Sequence, residues 1–141
     1  MKFTKKEIAR HQIDTALELF FEKKDILSII TLAGAGEEII GKLLKRARKS
    51  NTMDDIIDIG KKIMKENWNK KLLSSSGING IRNNLKHADY PNEDELEINF
   101  NYVLLMLARA VWNYNALDHD PSPLMIRFSK EPLASYPDPW Y

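Results

Sequence analysis

Cysteine is absent from this 141-residue chain. Disulfides, thiol nucleophiles and thiolate metal sites are therefore excluded, and cysteine usage says nothing about redox compartment. Long apolar runs are missing too. No stretch approaches the roughly 20 apolar residues of a membrane span. The N-terminus, Met1-Lys2-Phe3-Thr4-Lys5-Lys6-Glu7, is basic but leads into an amphipathic stretch, not an apolar signal core. A cytoplasmic protein with no membrane association is the expectation. Neither sign of charge is in excess, the formal balance being +1. That argues against broad, sequence-blind coating of nucleic acid, which needs many phosphate contacts, but leaves room for a small, focused phosphate site. Internal repeats, low-complexity segments and convincing strand patterns are also lacking. What remains, 43% hydrophobic and 29% charged residues, suits one domain with a real core.

Helical periodicity dominates that remainder. Thr4-Lys5-Lys6-Glu7 reads as a capping box, followed by Ala9, Ile13, Ala16, Leu17 and Phe20 on one face, so a helix should run to about Lys23. Asp25 can cap a second helix carrying Ile26, Ile29, Ile30, Ala33, Ile40, Leu43 and Leu44. Its middle contains Gly34 and Gly36, each costing up to ~1 kcal/mol against alanine in a helix. A close helix crossing there is the expected compensation. Thr52 with Asp55 begins a shorter helix to about Glu66, and Trp68 anchors the following connection. After the break at Ser74-Ser75-Ser76-Gly77, the apolar stripe Ile78, Ile81 and Leu85 predicts a helix that ends at Tyr90-Pro91-Asn92, because a residue before proline is pushed out of helical geometry. Glu93 to Glu97 reads as a loop or an irregular helix start. From about Asn99 the pattern Phe100, Val103, Leu104, Leu107, Ala108, Val111 and Trp112 is strongly helical. Its interior is apolar nearly all round, as expected of a central helix or one at a subunit interface.

The expected fold class is all-α: an antiparallel bundle of four to five helices over residues 1–117, with an irregular, proline-rich extension over 118–141. Pro121, Pro123, Pro132, Pro137 and Pro139 are expected to break any regular element there. Leu124-Met125-Ile126-Arg127-Phe128 and the aromatic end Tyr136 to Tyr141 should dock on the bundle or on a partner.

Chemistry concentrates at Arg82-Asn83-Asn84-Leu85-Lys86-His87. A guanidinium that is always charged lies near an imidazole that can titrate close to neutral pH, enough to grip a phosphodiester and move a proton beside it. On a regular helix Asn83 and His87 share a face, whereas Arg82 and His87 lie about 140° apart. A long arginine reach, a distorted turn or a second chain would be needed to complete a site. The structural alternative is that both groups cap the helix end and interact with its dipole. Glu37 and Glu38 point about 100° apart, so both cannot serve one metal. Solvent exposure is their default, with an approach of one of them to Arg82 or His87 as the supporting role. His11 with Asp14 lacks the third ligand that zinc needs. The basic runs Lys42 to Lys49 and Lys61 to Lys71 suit helix C-termini, with RNA backbone contact as the alternative. No metal or cofactor is expected.

The motif in its bundle context resembles the HEPN superfamily (higher eukaryotes and prokaryotes nucleotide-binding). That family is marked by an arginine, a polar residue and a histidine four to six intervening residues after the arginine, on a late helix of an α-helical bundle. Arg82, Asn83 and His87 match with four intervening residues, and Leu32 to Gly41 resembles the small-residue-then-acid second helix of such bundles. The resemblance covers residues 4–117. It implies a metal-independent endoribonuclease of toxin or defence type, working as a homodimer with two motifs facing one cleft. His87 would be the general acid or base, Arg82 would hold the scissile phosphate, and Asn83 would orient either. It equally implies the rival reading, a non-catalytic module that binds a nucleotide, a nucleotidyltransferase or antitoxin partner, or itself.

Overall fold

Thr4 starts the first helix as its spacing predicts. Its hydroxyl accepts from the Glu7 amide at 3.1 Å, and the Glu7 carboxylate accepts from the Thr4 amide at 2.7 Å. This reciprocal box launches α1, Lys5–Phe21, which buries Ala9, Ile13, Ala16, Leu17 and Phe20. Asp25 caps α2, Ile26–Arg46, by accepting from the Ser28 amide at 2.9 Å. The computed structural model describes residues 1–49, 78–91 and 94–138. The helix expected from Thr52 to Glu66, Trp68, the basic run Lys61 to Lys71, and Trp140 with Tyr141 lie outside the described residues.

Within that range the protein is all-helical, with five α-helices and no strand. The remaining three are α3, Ile78–Asn84, α4, Phe100–Asp118, and α5, Pro123–Lys130. No helix among the described residues is long and apolar enough to cross a membrane. The α4 helix opens on Asn99, whose side chain accepts from the Asn101 amide, and closes on His119 in the left-handed region at φ 50°. Every residue from Val103 to Val111 is buried, so the apolar pattern marks a central helix within this chain.

The α2 helix packs against both α1 and α4, and its two inner glycines explain how closely. A Cβ on Gly36 would sit 2.7 Å from Ile13 Cγ1 and 3.1 Å from the Ala9 carbonyl oxygen of α1. A Cβ on Gly34 would sit 2.7 Å from Cδ of Arg82, which α3 brings to the other side. The glycines thus do what their position in the middle of a helix suggests: they let neighbours approach the backbone.

Two expectations are corrected. The motif helix α3 stops at Asn84, well before Pro91. Its last carbonyls are taken up in a turn, Leu85 N–H to Ile81 and Lys86 N–H to Asn83. Two consecutive asparagines favour such turns over helix. From Lys86 to Tyr90 every residue is exposed, so no apolar contact would hold a further turn on the core. In the extension, proline does not prevent a helix. Pro123 occupies the first turn of α5, where a missing N–H costs nothing, and Ser122 caps it by accepting from the Met125 amide. The extension packs on α1: Phe20 meets Phe128 and Tyr136 edge-on at centroid distances of 5.8 and 5.3 Å. The Tyr136 hydroxyl donates to the Phe128 carbonyl, and burial pushes that phenol up from its ordinary pKa.

Gly36→Ala should lose about 1–3 kcal/mol despite its better helix propensity, because α1 must move away; a urea midpoint equal to wild type would show that the crossing has slack. The Asp25 carboxyl is held below its usual pKa by hydrogen bonds from the Ser28 hydroxyl and amide. Because the folded value is depressed, the cap's contribution is present above the unfolded pKa near 4 and is lost as pH falls through the folded value. Asp25→Ala should therefore cost about 1 kcal/mol at pH 7, with the gap to wild type closing only below about pH 4. Thermal melts across that range measure it.

Candidate functional site

Four side chains from three helices converge behind the Arg82 motif. Glu37 of α2 is 3% exposed, far from the solvent exposure expected of it, whereas Glu38 beside it remains partly exposed. The one-residue step around the helix separates their roles. Glu37 Oε1 accepts from Arg109 Nη2 of α4 at 2.9 Å and from Asn113 Nδ2 at 3.4 Å. Arg109 and Asn113 share a face of α4 at i,i+4 spacing. The other oxygen, Oε2, accepts from Arg82 Nη1 of α3 at 3.3 Å.

Arg82 reaches this carboxylate across α2. Its stem lies over Gly34, one turn before Glu37, where any side chain would collide with it. Ile81, the preceding residue, is buried and anchors α3 to the core. The Arg82 side chain keeps 14% of its surface exposed, against 4% for Glu37 and 4% for Arg109. Nε of Arg82 is buried without a hydrogen-bond partner. At the rim, Glu38 lies 4.0 Å from Arg82 Nη1 and 4.0 Å from Lys86 Nζ. A hydrogen bond from Lys42, then the charges of Arg82, Lys42 and Lys86, hold the Glu38 carboxyl below its ordinary pKa, against the effect of partial burial.

His87 occupies a different setting. It lies three residues past the end of α3, with a side chain 57% exposed and Nδ1 at 4.0 Å from Asp89 Oδ2. Asn83, at the end of α3, is exposed. The shared helix face expected for Asn83 and His87 does not exist, because the helix has ended. Arg82 is therefore turned inward to Glu37, and Asn83 and His87 face solvent. Of the two acids, Glu37 is the one that bonds Arg82, and neither is paired with His87.

Arg109 and Asn113 were not singled out by the sequence. A signal was present: one arginine inside an otherwise apolar helix must be paired when buried, and an acid beside helix glycines is a fitting partner. Other polar candidates have local roles. His11 packs edge-on against Phe3, and His119 closes α4. Tyr114 is fully buried, and Trp112 borders a groove of about 300 Å³ with Phe128, Pro132 and Leu133. Among the described residues, no three His, Asp or Glu side chains are grouped to hold a metal ion. In comparisons with known proteins, the chain matches no family model, no curated protein and no solved structure.

Removing Glu37 would leave two guanidiniums facing each other's charge in a buried space. Glu37→Ala should cost about 3–5 kcal/mol, the usual cost of breaking a buried ion pair from one side. Urea unfolding at neutral pH measures it, and a loss below about 1 kcal/mol would mean that water already reaches the cluster.

Proposed function

We propose that this protein is a metal-independent endoribonuclease of toxin or defence type that acts on cytoplasmic RNA as a homodimer. The single observation that supports it best is the setting of Arg82. A guanidinium bonded to a buried carboxylate at 3.3 Å, with one edge still at the surface, is within reach of a phosphodiester that approaches that edge. The His87 imidazole, a few residues on, is open to solvent. The resemblance of Arg82, Asn83 and His87 to the HEPN motif supplies the reaction type.

In this reading one His87 removes the proton from a ribose 2′-hydroxyl. The 2′-oxygen attacks phosphorus, and the bond to the 5′-oxygen breaks. A protonated His87 from a second copy returns a proton to that leaving oxygen, and Arg82 stabilises the charge added to the phosphoryl oxygens. The products are a 2′,3′-cyclic phosphate and a 5′-hydroxyl end. In this reading a second copy completes the site, since Arg82 is turned to Glu37 and His87 lies beyond the end of α3.

A second reading is favoured by a specific observation: Arg82 is already bonded to Glu37 within the chain. On that reading the motif is a structural lock. The protein would be a non-catalytic helical module that binds a nucleotide, a nucleotidyltransferase or antitoxin partner, or itself.

Purified protein incubated with a panel of RNAs in EDTA separates the two. The ribonuclease reading expects cyclic-phosphate ends, and a rate about 10²–10⁴-fold lower for His87→Ala. Equal background cleavage by wild type and His87→Ala across the panel rejects it in favour of the binding module.

A further inference from the structure

Among the described residues, the buried cluster holds one carboxylate, Glu37, and two guanidiniums, Arg82 and Arg109. The two cations are not equivalent. Arg109 is the more deeply buried, makes the shorter bond at 2.9 Å, and shares its acceptor oxygen with Asn113. Arg82 makes the longer bond at 3.3 Å to the other oxygen and reaches the surface. Glu37 with Arg109 is thus the deeper pair, and Arg82 is the cation at its outer edge. If Arg82 turns outward, the Glu37 carboxylate is still neutralised by Arg109 and bonded by Asn113. Without Arg109, the same movement would strand a bare carboxylate in a buried site, which is strongly unfavourable.

We propose that Arg109 is a positioning residue: it holds Glu37 so that Arg82 can release from the cluster and take a phosphodiester oxygen of RNA. This rests on the reading that Arg82 contacts phosphate. The other charges facing Arg82 fit the same movement. Glu38, at 4.0 Å, stands beside it at the rim and is itself engaged by Lys42 and Lys86.

The test is binding by the full chain of a short single-stranded RNA whose 2′-hydroxyls are methylated, so that it cannot be cleaved, at one fixed salt concentration. Arg82→Met should weaken binding about tenfold or more, the worth of one charge-assisted hydrogen bond. Arg109→Met should weaken it comparably although Arg82 is intact, because Glu37 now retains Arg82. The double variant Glu37→Gln with Arg109→Met should recover binding to near wild type, since no carboxylate then holds Arg82. Wild-type affinity in Arg109→Met, or a double variant as weak as Arg109→Met, overturns the proposal while leaving the phosphate reading intact. No difference between wild type and Arg82→Met, or no binding by wild type, overturns both. If Arg109→Met does not fold, side-chain ¹⁵N spectra of the wild type decide. The Arg82 Nε signal should move when the RNA is added and the Arg109 signal should stay. Movement of both, or of neither, overturns the proposal.

Discussion

The carboxylate of Glu37 is the constraint around which the described part of this protein is arranged. It lies on α2, the helix that both α1 and α4 pack against, and it is buried. A buried charge is tolerated only when paired and hydrogen-bonded. Arg109 and Asn113 of α4 and Arg82 of α3 meet that requirement together. Because each comes from a fixed place on its helix, satisfying one carboxylate also sets how α3 and α4 lie against α2. The apolar core supplies most of the driving force for folding, while the cluster specifies which residues face each other.

The small residues of α2 make that arrangement reachable. Gly36 lets α1 come close on one side, and Gly34 leaves a track for the Arg82 stem on the other. Glycine inside a helix is a local cost that is offset only where a neighbour occupies the vacated space. Both positions have such a neighbour. Phe20, Phe128 and Tyr136 then tie the extension to α1 through ring contacts, with Ser122 bonded to Asp14 and Lys6 paired with Asp118 nearby. The segment beyond residue 117 thus packs on the body of the protein through α5 and Tyr136.

For function, the important asymmetry is between Arg82 and His87. One is drawn into the charge network and the other is left in solvent beyond the helix. An arrangement of this kind separates the group that would grip a phosphate from the group that would move a proton. It makes the proposed chemistry depend on a second copy and on how freely Arg82 leaves Glu37. The same asymmetry is what the binding-module reading would use, with Arg82 as a lock and the exposed segment as a contact.

Much of this was legible in the residues themselves. The Thr4–Glu7 box, the Asp25 cap, the buried stripe of α1 and the all-round apolar face of α4 are local or periodic signals. Hydrogen-bonding geometry and burial turn such signals directly into helices. The glycine pair announced a close approach for the same reason. Other features were decided only in three dimensions. The spacing of α2 puts Glu37 on the buried stripe of Ile30, Ala33, Ile40 and Leu44, but no spacing within α2 tells which helices cover that stripe or which cations meet the carboxylate there. The end of α3 at Asn84 depends on the loss of apolar contact after Leu85, not on Pro91. The α5 helix depends on Met125 and Phe128 having a core to enter, with Ser122 bonded to Asp14 of α1. The sequence by itself determined α1, α2 and α4 and the presence of an arginine, an asparagine and a histidine in one short motif. Tertiary structure decided that the arginine belongs to a buried charge cluster with Arg109, because charges brought into an interior must find partners wherever the fold places them.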